Sequence, residues 1–164
     1  MKESTNTLSV LKILSWAFFI ILAFVFQASH FLAVRGINPN LILLIIILGV
    51  ILERKFLGFL FFIFTVILLS FVFLPFWPKG IFIAAGLGLA AFLLKKFLTG
   101  NVFFDSLILI FSGTLGFYLI INFHYLISNP IAIIAELFYN MTLGISAIFL
   151  ITNFFYEKEN RIKS

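Results

Sequence analysis

Cysteine is absent from the chain. Disulfides, thiolate metal sites and cysteine nucleophiles are therefore excluded. Charge is scarce as well: Asp, Glu, Lys and Arg make up 10% of the 164 residues. A soluble domain keeps about a quarter of its residues charged. So few ionisable groups cannot solvate a globular surface, and no polar stretch is long enough for a separate soluble domain. The sequence also lacks an HExxH motif, a glycine-rich phosphate loop and any histidine cluster with metal-ligand spacing. A second aspartate within the apolar runs is missing, which leaves a paired-aspartate protease unsupported. No metal or cofactor is implied.

What the chain does have is apolar sequence, with 63% hydrophobic residues, 25 of them Phe, and a mean hydropathy of +1.25. The expected class is an all-α polytopic membrane protein, since backbone polar groups in lipid must be satisfied within each segment. Six runs are expected as helices, over 13–33, 37–52, 56–73, 80–94, 102–127 and 131–155, in one integral membrane domain covering 1–164. The breaks between them read as turns: Arg35 to Asn40, Glu53-Arg54-Lys55, Pro75-Phe76-Trp77-Pro78, Lys95 to Asn101, and Ser128-Asn129-Pro130. The first run contains Gln27-Ala28-Ser29, which weakly resembles a signal cleavage site. The apolar run continues past it, so a retained helix is expected. The second run is short, about 24 Å even counted from Ile37, and reads as a short or thinly covered crossing or a re-entrant segment; a crossing is favoured, because Glu53, Arg54 and Lys55 are costly to leave in lipid.

Six crossings put both termini on one side. That side carries nine basic residues: Lys2, Lys12, Arg54, Lys55, Lys95, Lys96, Lys158, Arg161 and Lys163. The other side carries two, Arg35 and Lys79. The positive-inside rule then makes both termini cytoplasmic. The net charge of +5 is explained by this flanking pattern, and no nucleic-acid partner is expected. Membrane lipid is the expected surround. Trp77 and His30 fall at the outer interface and Tyr156 at the inner one.

The stretch from Leu74 to Lys96 organises the rest. Gly80, Ala84 and Gly88 are four apart, and Ala91 follows three later. They share one helix face, and small residues there let a neighbour approach closely in lipid. Gly113 and Gly116, beside Ser112 and Thr114, read as packing residues of the fifth helix. Gly144 extends a polar-to-small stripe that begins with Glu136 and Asn140.

Four intramembrane polar residues need an explanation. Asp105 lies one turn into the fifth helix. It is expected either to reach water or Lys95 and Lys96 at the interface, or to take an ion- or proton-coupled role. His124 and Glu136 lie six residues either side of Pro130. An antiparallel hairpin would set them at similar depth, where imidazole and carboxylate can meet. With Asn140, they suit a structural clamp or a partner groove, with a proton relay or substrate site as the alternative. No catalytic residue is assigned; a serine activated by His124 is only formally available.

The short helix after Pro39-Asn40, the basic loop Glu53-Arg54-Lys55 and Gly58 in the third helix form a pattern with the later elements. These are the broken turn Pro75 to Lys79, the Gly/Ala-rich fourth helix and the Lys95-Lys96-Phe97-Leu98-Thr99-Gly100-Asn101 loop. Over about residues 10–155 this resembles the rod shape-determining protein MreD family. The acidic residue which that family commonly carries near the end of its third helix has no counterpart in Thr65 to Ser70. The resemblance implies a multi-pass protein of the bacterial inner (cytoplasmic) membrane. Its role would be a non-enzymatic scaffold in cell elongation, cell shape and peptidoglycan synthesis. It further implies an MreC-like partner, the RodA and penicillin-binding-protein pair, and MreB beneath the membrane. The chain also resembles, more remotely, the substrate-binding membrane subunits of energy-coupling-factor vitamin transporters. Their first-helix Ala-x-x-x-Ala motif is not matched by Ala17, Ala23, Ala28 and Ala33.

Overall fold

The structure, a computed structural model, describes the backbone of residues 2–34 and 36–163 and the side chains of residues 16–34 and 36–150. Arg35, Tyr156 and the terminal basic residues Lys2, Lys12, Lys158, Arg161 and Lys163 lie outside the described side chains. Among the described residues the chain is helical, without a strand. The helices are α1 (Lys2–Ser29), α2 (Leu41–Leu52), α3 (Phe56–Phe73), α4 (Pro78–Leu94), α5 (Val102–Ile121), α6 (Phe123–Ser128) and α7 (Pro130–Lys163). A single 3-10 turn over Lys95–Phe97 follows α4. Among the described residues, four helices are long and apolar enough to cross a membrane: Phe56–Phe73, Pro78–Phe97, Val102–Ile121 and Pro130–Leu150.

Several boundaries differ from the sequence expectation: α1 begins at Lys2 instead of 13, α4 at Pro78 instead of 80, and α7 covers Pro130–Lys163 instead of 131–155. Three further differences each have a local reason. The first helix stops at Ser29 instead of running to Ala33, because His30 takes a left-handed backbone with φ of 52°. Such a conformation ends a helix. The second begins at Leu41 instead of Ile37. Pro39 disfavours helical backbone at Asn38, and Asn40 takes the N-cap, its Oδ1 accepting from the Leu43 N–H at 3.1 Å. The expected fifth helix, 102–127, is two helices. Asn122 leaves the helical region (φ −158°, ψ 77°), and its Oδ1 accepts from the Tyr125 N–H at 3.0 Å, so it caps α6.

Helix α2 is the hub. It packs against α1, α3, α4, α5 and α7. Every residue from Ile42 to Val50 is buried, so it is apolar and enclosed on all sides. Its 12 residues rise about 18 Å, less than the ~30 Å of a hydrocarbon core. Lipid is as apolar as leucine, so burial alone does not hold such a helix; close packing and satisfied ends must do so.

The packing comes from small residues on the neighbours. A Cβ at Gly88 of α4 would overlap Ile46 Cγ2, and one at Gly144 of α7 would stand 2.5 Å from Ile110 Cδ1 and 3.2 Å from Leu44 Cδ2. Gly113 of α5 faces Ile47 in the same way. Away from this core, α3 turns Phe61, Phe64, Leu68 and Val72 outward as an exposed apolar stripe, and α5 exposes Phe111 and Leu119. Such faces suit lipid and not water.

The bundle has two distinct ends. At one, α1 and α3 finish and α2 and α4 begin. The Leu41 N–H meets Gln27 there, and the Phe24 and Phe73 rings stack 5.8 Å apart. At the other, Phe56 of α3 lies 5.8 Å from Phe92 of α4, and Lys95 reaches the end of α2. Arg54, Lys55, Lys95 and Lys96 sit in the connections of this second end, and Lys79 starts α4 at the first.

Candidate functional site

A helix end leaves backbone groups without intrahelical partners, and in apolar surroundings each is expensive. The polar side chains gather at the two ends of α2 for this reason. At its C-terminal end, Lys95 Nζ donates to the carbonyls of Val50 at 2.6 Å and of Ile51 and Glu53 at 3.0 Å each. A cation at a helix C-terminus also opposes the helix dipole. Close by, Asp105 accepts from Thr99 N–H at 2.9 Å, Thr99 Oγ1 at 2.7 Å and Gly100 N–H at 3.1 Å. It thereby closes the turn that leads into α5.

At the N-terminal end, the Asn40 N–H donates to Asn140 Oδ1 at 3.0 Å, and the Leu41 N–H donates to Gln27 Oε1 at 2.8 Å. Asn140 is fully buried. Its Nδ2 donates to Thr114 Oγ1 at 3.2 Å, and a side-chain hydrogen bond joins it to Glu136. The Tyr118 hydroxyl donates to Glu136 in turn. One network thus ties α2 to α5 and α7, while Gln27 ties it to α1. Tyr139 adds a bond from its hydroxyl to the Leu32 carbonyl at 2.6 Å.

Over this network lies a recess of about 580 Å³. Gln27, His30, Asn38, Asn40, Tyr118 and Glu136 form its polar wall. Phe73, Phe76, Trp77 and Phe117 form its aromatic wall, with the Trp77 and Phe117 rings 5.8 Å apart and edge-on. Asn38 Nδ2 is 2.9 Å from His30 Nδ1, while Asn38 Oδ1 is buried with no hydrogen-bond partner among the described groups. Phe76, at the turn between α3 and α4, is 98% exposed. The arrangement can enclose a side chain or a small molecule. It offers one carboxyl group, one imidazole, aromatic faces and amide groups.

The sequence candidates divide between the bundle core and these ends. Gly80, Ala84 and Gly88 are buried on α4 and Ala91 is half-buried. Gly80 is covered by the Trp77 ring and Gly116 by Leu87. Asp105 meets the Thr99–Gly100 turn. Glu136 and Asn140 are brought together. His124 is not part of that cluster: it lies exposed on α6, and the carboxylate it was expected to face is bonded to Tyr118 and Asn140. The cause is Asn122, which ends α5 before it reaches His124.

Residues Gln27, Asn40, Tyr118 and Lys95 were not singled out by sequence reasoning as site residues. Asn40 carried a signal, an Asn directly before an apolar helical run. So did Gln27, a lone amide within such a run. Lys95 and Tyr118 had none, since their partners lie 45 and 18 residues away. No family model, no curated protein and no solved structure matches the chain.

Proposed function

We propose that the chain is a non-enzymatic scaffold of the bacterial cell-elongation machinery, embedded in the inner membrane by six apolar helices with both termini in the cytoplasm. The four long apolar helices and the outward apolar stripes support the membrane setting. The basic connections Arg54-Lys55 and Lys95-Lys96 at one end of the bundle support the orientation. In this reading α2 is carried through the bundle inside a sleeve of its neighbours, which explains how twelve residues serve where lipid would demand about twenty.

The observation that carries the scaffold reading is the recess at the end away from those basic loops, rimmed by Trp77 and the almost wholly exposed Phe76. Aromatic anchors beside a concave pocket are typical of protein-binding hot spots. The side-chain oxygens of Gln27, Asn40 and Asn140 already serve the N-terminus of α2, so the aromatic rim is the most open part left for a partner. An MreC-like protein is the proposed occupant, with the RodA and penicillin-binding-protein pair alongside. Depletion followed by microscopy and affinity capture tests this. The expected result is loss of rod shape and recovery of an MreC-like protein. Recovery of an ATPase module with normal cell shape refutes it.

That outcome would support a second reading, a substrate-binding subunit of an energy-coupling-factor type vitamin transporter. It is favoured by the size of the recess, which lies within the roughly 300–1,000 Å³ of small-molecule sites.

A further inference from the structure

We propose that the recess is a binding site for an organic cation, an ammonium or guanidinium group carried on an apolar body. Glu136 is 8% exposed and lines the recess, and its hydrogen-bond partners, Tyr118 and Asn140, are both neutral. The α2 N-terminus is linked to it through Asn140 and offers roughly half a unit of positive charge. A lone buried carboxylate is disfavoured, and a cation entering the recess would balance it.

The opposite wall suits the same ligand. Trp77, Phe117 and Phe73 present π systems, whose negative faces attract ammonium and guanidinium groups. On the polar wall Gln27 and Asn40 are neutral, with their side-chain oxygens already engaged by backbone N–H groups, and His30 Nδ1 lies 2.9 Å from Asn38 Nδ2. An anion would meet the carboxylate of Glu136 across a low-dielectric pocket. A wholly apolar ligand would leave that carboxylate uncovered. The volume, about 580 Å³, admits a cation together with an aromatic or aliphatic body. The same chemistry is carried by a free small molecule and by a lysine or arginine of a protein partner. The inference rests on the recess being the docking site proposed above. Capture of an elongation partner from cells tests that reading separately from cation binding by the isolated chain.

The test uses the full chain in lipid nanodiscs, with tryptophan fluorescence and thermal stability as readouts. The probes are benzylamine, benzyltrimethylammonium and phenylguanidine, against the neutral benzyl alcohol and the anionic benzoate. The three cations are expected to bind saturably, at least about tenfold tighter than the alcohol or the anion. E136Q is expected to reduce cation affinity by about tenfold or more, and W77L to reduce it severalfold.

A leucine-flanked single-lysine peptide amide, compared with its norleucine counterpart, separates the sources. Tighter binding of the lysine peptide than of benzylamine assigns the cation to a protein partner; the reverse assigns it to a free molecule. Equal binding of benzylamine and benzyl alcohol overturns the proposal. So does the absence of saturation by any cation up to about 10 mM, or a folded E136Q variant with unchanged cation affinity. The ratio of cation to alcohol binding in the unaltered chain decides the matter even where E136Q fails to fold.

Discussion

Replacing Lys95 with methionine keeps an unbranched side chain of similar length and removes only the ammonium. The three carbonyls of Val50, Ile51 and Glu53 then lose their shared donor. A hydrogen bond with one charged partner contributes about 1.5–3 kcal/mol net. Three independent bonds would therefore give about 4.5–9 kcal/mol. The bonds are not independent, because one side chain is immobilised for all three. Lys95 is also half-buried, so water can reach part of the exposed carbonyl set. The expected loss is about 2–4 kcal/mol, near the cost of removing one partner from a buried charged pair.

The control is K96M, which deletes the same charge one residue on. Lys96 is exposed and lies 4.9 Å over the Phe97 ring. Its loss is expected to change stability by about 0.5 kcal/mol or less. Reversible unfolding in mixed micelles, followed by circular dichroism, measures both. Hydrogen exchange should show faster opening at the C-terminal turn of α2 in K95M alone. If K95M falls within about 0.5 kcal/mol of K96M, Lys95 does not cap α2 and the account of how that helix is held is wrong.

The other end of α2 gives a parallel case. N140L fills a similar volume but removes the acceptor of the Asn40 N–H and the partners of Thr114 and Glu136, and should destabilise by about 2–4 kcal/mol in the same assay. G88V forces α4 away from Ile46 and should cost about 1–3 kcal/mol, whereas G86V, with nothing within 4 Å of the added Cβ, should change stability far less. F76S should leave unfolding within about 0.5 kcal/mol of the unaltered chain, because the ring is 98% exposed. On the scaffold reading it should abolish affinity capture of the partner.

The class of this protein was legible from residues alone. Scarce charge, long apolar runs and proline-marked breaks leave helices in lipid as the solution, because each run satisfies its own backbone. The grouping of Gly80, Ala84 and Gly88 on one face was equally legible, since helical periodicity is a local property. So was the placing of Glu136 and Asn140 in one stripe, since they lie four apart on the same helix. The scarcity of charge also made each remaining polar residue worth attention.

The tertiary structure alone decided what those polar residues do. Nothing local marks Lys95 as the cap of a helix 45 residues earlier, or Tyr118 as the partner of Glu136. An unbroken fifth helix would bring His124 to the depth of Glu136, and Asn122 breaks that helix. Nor could periodicity show that α2 faces protein on every side, since an apolar run reads the same against lipid and against a bundle core. That choice depends on the glycines of three other helices, and on donors and acceptors brought in from α1, α7 and the turn after α4. Sequence determined that the chain would be helical and apolar; only packing decided that the twelve-residue α2 would become the centre.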